Sequence, residues 1–495
     1  MDLQFNQSVL RCLDRTVSEY QSQEQTQEVR IPEDLPDVGT VLACWGQVIL
    51  RGKEWRSDSV GITGGVMGKV LYMPDQGETP QCVEVWLPFQ MKWSIPAGKP
   101  DGTIVALPML RSADARALSS RKLMVRTNVC VQMQAFVPAE YGLYQPENIP
   151  EDVQLLRHKC KWIIPGEAGE KAFTLEENLE LNTSEPKPEQ LIHVCLTPQV
   201  LEKKVLADKL IFRGIAVVHI LYRAGDGRLY SRDFDVPFSQ YEELSREFDP
   251  EATLLLEVVV TNLELEDTPE GIFRLRAGLS GQYVVYDAVT ADVTTDAYSP
   301  LRTVEAKWQH VDVPGIQAQN IQTVTAQVDP GVDIMRPVDM VFRTEPPYIS
   351  RDGDIVEADL GGSFGVLYYD PEGQLQYASS SWESPMQFPD GEGKHLHMSL
   401  RPAGKTQYGA GMLCADLQVE TQAVAAAPME TICAMELGER KEPDPQRPSL
   451  VVTRAGNNSL WELAKRHGST VTHIKEANEL HADPDSNQIL LIPIL

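Results

Sequence analysis

The chain has 495 residues, 42% hydrophobic and 23% charged, a balance that fits folded globular domains and excludes a disordered polypeptide. Its 44 Lys and Arg against 71 Asp and Glu give a formal charge of -27, which repels phosphate backbones and anionic lipid and argues against nucleic acid as a partner. The length implies about three or four domains.

Residues 1–24 read as an N-terminal helical segment, with a short helix over Leu3 to Tyr20. Asp2, Asp14 and Glu19 interrupt any apolar run of signal-peptide length, and no later stretch reaches the roughly 18 to 20 apolar residues of a membrane span. Export and membrane insertion are therefore not expected.

Next comes a unit that recurs. Gly64 is followed by Val66 to Tyr72 and then Leu87-Pro88-Phe89; Gly214 by Ile215 to Tyr222 and then Val236-Pro237-Phe238; Gly361-Gly362 by Val366-Leu367-Tyr368 and then Pro385-Met386. The Leu-Tyr pairs lie 150 and 146 residues apart and the prolines 149 and 148, which predicts a triplicated ancestor. Ala43 to Leu50, Arg213 to Tyr222, Leu254 to Leu263 and Leu413 to Val419 are rich in Val, Leu, Ile, Tyr and Thr with partial alternation, so each unit reads as β. Pro74-Asp75-Gln76-Gly77, Ala224-Gly225-Asp226-Gly227 and Asp370-Pro371-Glu372-Gly373 supply a hairpin turn in every copy, with the proline expected at the end of the second strand. A further short helix is expected around Ser239 to Phe248. The predicted fold class is mainly β, three tandem sandwich-like repeats over 25–165, 166–300 and 301–437.

Candidate catalytic groups fail one by one. Gly64-Gly65-Val66-Met67-Gly68-Lys69 resembles a phosphate loop, but Thr63 replaces its first glycine and Val70 the Ser/Thr that holds magnesium. His395 and His397 share a strand face without a further ligand at metal spacing, and His158 beside Cys160 lacks an orienting third group. The eight cysteines are scattered singly with no C-x-x-C, which predicts buried free thiols. No catalytic residue, cofactor or metal is assigned, and the chain reads as a non-enzyme.

A Pro-rich, charged linker, 438–448, precedes a last domain, 449–495, read as βααβ. Leu450 to Thr453 forms a strand. Ser459 with Glu462 makes a capping box ahead of Leu460, Leu463 and Ala464; Gly468 ends that helix; Ser469 or Thr470 caps a second through Ile474 and Ala477; Ile489 to Pro493 returns as a strand.

These landmarks, with Gly456, Ser459-Leu460-Trp461, Asn478-Glu479-Leu480 and Leu490-Leu491-Ile492-Pro493, resemble the LysM pattern, with Asn457-Asn458 where one acid is usual and Asn487 in place of a glycine. Ile31 to Leu42, which contains Leu35-Pro36-Asp37-Val38, together with the Gly, Leu-Tyr and Pro-Phe series and Asp296-Ala297-Tyr298-Ser299, resembles the SPOCS-type domain of spore-coat proteins in anaerobic spore-forming Firmicutes. The second copy has Glu185-Pro186-Lys187-Pro188 at the position of Leu35 to Val38. Three such domains and one LysM are similar in order to the SipL-like coat morphogenetic family. That resemblance implies a spore-coat assembly adaptor in the mother-cell cytoplasm, recruited to the forespore surface, whose LysM engages the coat's basement-layer ATPase. The LysM resemblance also implies a shallow binding groove for N-acetylglucosamine polymers or a protein, with Gly456, Asn457, Asn458, Ser459 and Leu460 on one side and Asn487, Gln488 and Ile489 on the other. The alternative is a peptidoglycan-binding wall protein, and a wall hydrolase is the third reading.

Overall fold

A computed structural model describes residues 2–77, 79–96, 102–268, 271–352, 355–388, 395–441, 446–482 and 484–495. The first strands are β1 (Phe5–Arg30), β2 (Val38–Arg56), β3 (Ser59–Pro74), β4 (Gln81–Ser94), β5 (Thr103–Ser119) and β6 (Lys122–Pro146). A second set follows as β7 (Gln154–Glu180), β8 (Pro188–Leu206), β9 (Lys209–Ala224), β10 (Leu229–Glu243), β11 (Thr253–Asp267) and β12 (Ile272–Tyr298). The third set is β13 (Arg302–Val328), β14 (Arg336–Thr344), β15 (Tyr348–Asp352), β16 (Ile355–Tyr369), β17 (Leu375–Phe388), β18 (His395–Gly409) and β19 (Met412–Arg440). The chain closes with β20 (Leu450–Arg454), α1 (Leu460–His467), α2 (Val471–Ala477) and β21 (Ile489–Pro493).

Each set makes two antiparallel sheets in the same order. One is a meander, β2-β3-β4, then β8-β9-β10, then β14 and β15 on β16 with β17 beyond. The other places the long last strand of each set between the first and the one before last, as β1-β6-β5, β7-β12-β11 and β13-β19-β18. The fold is thus mainly β.

Strand alternation explains the recurring Leu-Tyr pair. Leu71-Tyr72, Leu221-Tyr222 and Leu367-Tyr368 all lie in the middle meander strand, and successive side chains point to opposite faces. Tyr72, Tyr222 and Tyr368 enter the separate cores of their own units. Leu71, Leu221 and Leu367, each 0% exposed, meet in one cluster with Ala43, Trp45, Ile192 and Val338. Burying each leucine contributes roughly 1.5–3 kcal/mol, so the leucines join the units while the tyrosines build them. Pro88, Pro237 and Pro385 stand within β4, β10 and β17, not at their ends as the sequence suggested; each of these strands borders its meander, where a missing N–H removes no ladder bond. Phe89 and Phe238 lie across Gly64 and Gly214, where a Cβ would come within 2.5 Å and 2.4 Å of the rings, so glycine and phenylalanine recur together. In the third unit Trp382 covers Gly362 instead, and Met386 pairs with Ala358.

The units close on one another. Gln132, Gln282 and Gln422 occupy matching places in β6, β12 and β19. Gln282 bonds both backbone groups of Ala106, at 2.7 and 2.9 Å, tying the second unit to the first. Gln132 Nε2 donates to Met398 O at 2.7 Å, tying the first to the third. Arg401 and Lys203 pair with Glu257 and Glu420 across the second and third.

Several expectations are corrected. Residues 1–24 are not a helical segment: Phe5–Arg30 is a single strand laddered to β6, whose hydrogen bonds outweigh local helix preference. The first unit therefore begins before residue 25, and β7 runs through the expected boundary at 165 and 166. Ser239–Glu243 completes β10, paired with β9, and 244–248 is not helical. Gly438–Arg440, placed in the linker, continues β19, and 442–445 lie outside the described residues.

Candidate functional site

The last four elements are built from local signals. Ser459 caps α1 and forms the reciprocal box with Glu462; Gly468, at φ 68°, ends it; Thr470 caps α2. Asn478 fastens the end of α2 to β21, donating to Leu491 O at 2.6 Å and accepting from Leu491 N at 2.7 Å. Leu460, Leu463, Ala464, Ile474, Leu490 and Ile492 form the core. Leu460 is 4% exposed, so Leu460→Ala is expected to destabilise this module by about 2–5 kcal/mol, read as an earlier melt of its helical signal.

The loop after β20 and the loop before β21 are joined by backbone hydrogen bonds. Ala455 N donates to Gln488 O and Gly456 N to Ser486 O, both at 2.9 Å. Asn457, Ser459, Asn487 and Ile489 are exposed, while Asn458 is half-buried, donating to Ala455 O at 3.4 Å and accepting from Arg466 at 3.2 Å. Leu460 goes to the core and not to the loop surface. The outer face of the β20–β21 ladder is mostly apolar: Leu450, Val452, Ile489 and Leu491 are exposed beside one cation, Arg454, with Val452 and Ile489 each at 61%.

The inner side of the module packs on the second unit. Trp461 Nε1 donates to Asp296 at 2.8 Å, Lys465 pairs with the same carboxylate at 2.7 Å, and Tyr298 OH donates to Ser469 O at 3.0 Å. Tyr298 and Trp461 meet edge to face, 4.8 Å between centroids. Burial opposes the charge on Asp296, but Lys465 and Trp461 hold its pKa below the usual carboxylate value. Sequence reasoning singled out Asp296 to Ser299 without giving it a role; the structure makes it the seat of α1. Trp461 is accordingly a packing residue at this seat.

The other candidates separate. Gly64 to Lys69 is strand interior, and Lys69 pairs with Glu84 at 2.5 Å. Cys160 is half-buried, its thiol pKa raised by burial, and His158 is exposed. His395 is exposed whereas His397 is buried 2.8 Å from Gln134 Nε2, with its pKa pushed down by burial to about 3. Among the described residues no group of three or more His, Cys, Asp or Glu is arranged to hold a metal. No helix among them is long and apolar enough to cross a membrane.

Residues 187–266 match the family described as SipL, SPOCS domain. The matched segment runs from the start of β8 to the end of β11, the meander of the second unit and the strand after it. It supports a SipL-like relationship and associates the chain with sporulation and the spore coat. It lies in the copy whose Glu185 to Pro188 departs from the pattern of the first. No curated protein and no solved structure matches the chain.

Proposed function

We propose that the protein is a non-enzymatic adaptor of spore-coat assembly, in which three SPOCS-type units form a closed scaffold and residues 449–495 are a LysM domain that docks a coat partner. The reading rests on the SPOCS match together with the exposed apolar face of Leu450, Val452, Ile489 and Leu491. A solvent-facing apolar sheet is suited to a protein partner. Residues 446–495 contain five Lys or Arg and five Asp or Glu, so the whole charge of -27 belongs to the rest of the chain and the module approaches a partner without net charge. By resemblance that partner is the ATPase of the coat basement layer, and the site of action is the forespore surface facing the mother-cell cytoplasm. Peptidoglycan binding through Gly456 to Ser459 and Asn487 to Ile489 is the alternative; with Leu460 buried, Ile489 is the exposed apolar side chain among these residues for an acetamido methyl.

Deleting 447–495 is expected to leave the three units folded and to abolish the ring of fluorescent fusion around the forespore. Asn457→Ala with Asn458→Ala is expected to weaken partner binding, because alanine replaces neither amide. Sedimentation of the full chain with peptidoglycan sacculi, without affinity for the ATPase, would reverse the assignment in favour of the wall protein.

A further inference from the structure

The long first strands of the three units share an irregularity. Each carries one extra residue against its neighbour: Thr16 between Arg15 and Val17, Gly166 between Pro165 and Glu167, and Gln317 between Ile316 and Ala318. A bulge bends its strand and re-aims the side chains beside it. Arg15, Thr16, Pro165 and Ile316, all at these bulges, line one cavity of about 400 Å³. That volume lies in the roughly 300–1,000 Å³ range of small-molecule sites. All three units wall it, and Phe136, Tyr286 and Ile316 are almost fully buried there.

Arg15 is the anomaly in this apolar setting. Its one hydrogen-bond partner among the described residues is Gln134 Oε1, at 3.4 Å, and none of their carboxylates lies within ion-pair distance. In a chain where acids outnumber bases 71 to 44, such an arginine is unexpected. The adjacent acid in sequence is engaged elsewhere: Asp14 accepts from Tyr141 at 2.7 Å. The Arg15 side chain is half-buried, and burial lowers its pKa. The guanidinium fork matches a carboxylate.

We propose that this cavity binds a small amphipathic carboxylate, Arg15 pairing with its anionic end and the apolar walls of the three units covering its hydrocarbon body. One guanidinium balances one negative charge, which favours a carboxylate over a phosphate dianion. Because the ligand touches all three units, it stabilises their closed arrangement.

The test is calorimetry and thermal melting of the full chain with octanoate, octanol and inorganic phosphate as probes at low millimolar concentration. Octanoate is expected to bind one to one and raise the melting temperature, with octanol and phosphate weaker by roughly tenfold or more, the scale of one charge-assisted pair. Arg15→Gln is expected to lose octanoate binding by the same factor while the unliganded protein keeps its melting temperature; a merely structural arginine would leave octanoate binding unchanged. Leu396→Trp fills the space and is expected to lose binding with Arg15 intact. Octanoate binding unchanged in Arg15→Gln, equal affinity for octanol or phosphate, or no octanoate binding by the unmodified protein would each overturn the proposal.

Discussion

Replacing Arg401 by leucine is expected to lower the unfolding free energy by about 3–5 kcal/mol, the cost of breaking a buried ion pair from one side. Arg401 grips Glu257 with two nitrogens, at 2.5 and 2.7 Å, and reaches Glu420 at 3.2 Å. Both carboxylates are nearly sealed from solvent, at 3% and 1% exposure. Lys203 and Gln319 satisfy Glu420 further, at 2.9 Å each, and Ser399 donates to Glu257 at 2.5 Å. Burial alone would raise the Glu420 pKa, yet Lys203 and Arg401 hold it below the usual value. Two cations thus balance two carboxylates. Removing Arg401 leaves Glu257 without a cation inside the seam between the second and third units. Arg401→Met combined with Glu257→Leu takes away one charge of each sign and is expected to recover most of the loss. Denaturant unfolding of both variants decides it: a loss below about 1 kcal/mol for Arg401→Leu would mean that water reaches the seam.

The parts of this fold that were legible in the sequence are those set by neighbours along the chain. The turn glycines Gly77, Gly227 and Gly373 all adopt positive φ, and the Ser459 box and the Gly468 cap stand where the residue types placed them. The Leu-Tyr pair was legible as a repeat because alternation assigns its two side chains to two faces. What those faces meet was not legible. Nothing in Leu71, Leu221 or Leu367 alone says that three leucines from different units share one cluster, since burial against the same unit would leave the same pattern.

Long-range pairing was the main loss. Phe5–Arg30 is polar along most of its length and has spaced apolar residues that mimic a helical face, so only its ladder to β6, with partners 92 to 141 residues away, makes it a strand. The charged seam was hidden by abundance. With 71 carboxylates in the chain, Glu257 and Glu420 carry no local mark of burial. Asp296 and Tyr298 were noticed as a motif, but their role depends on Trp461 and Lys465, which lie more than 160 residues later. Register links the units more finely still: the position two residues before each leucine pairs Lys69 with Glu84, His219 with Asp233, and Gly365 with Ser379.

At that position His219 is expected to make stability fall as pH rises from about 6.5 toward 10. Its Nδ1 contacts Asp233 at 2.6 Å and its Nε2 lies 2.7 Å from Asp339, which the third unit contributes and which is 2% exposed. Burial disfavours the imidazolium, but Asp339 and Asp233 outweigh it and raise the pKa from 6.5 to about 10. The same carboxylates face other charges: Lys405 stands 3.9 Å from Asp233, and the buried His193, stacked on Trp45, has its pKa pushed down by burial to about 3. Because the folded value of His219 lies above the unfolded one, its contribution is complete below about 6.5 and is lost as pH climbs through about 10. His193 and His397, depressed to about 3, act on the other side, costing stability as pH drops below 6.5. Folding stability is therefore expected to peak near neutrality. His219→Asn should remove the alkaline slope, worth on the order of a few kcal/mol, and should lower stability at pH 7 by leaving Asp339 without its cation. Urea unfolding measured across pH 6 to 10 reads both effects. A slope that persists unchanged in His219→Asn would place the alkaline titration elsewhere and leave the contact between the second and third units to the leucine cluster and the Arg401 network.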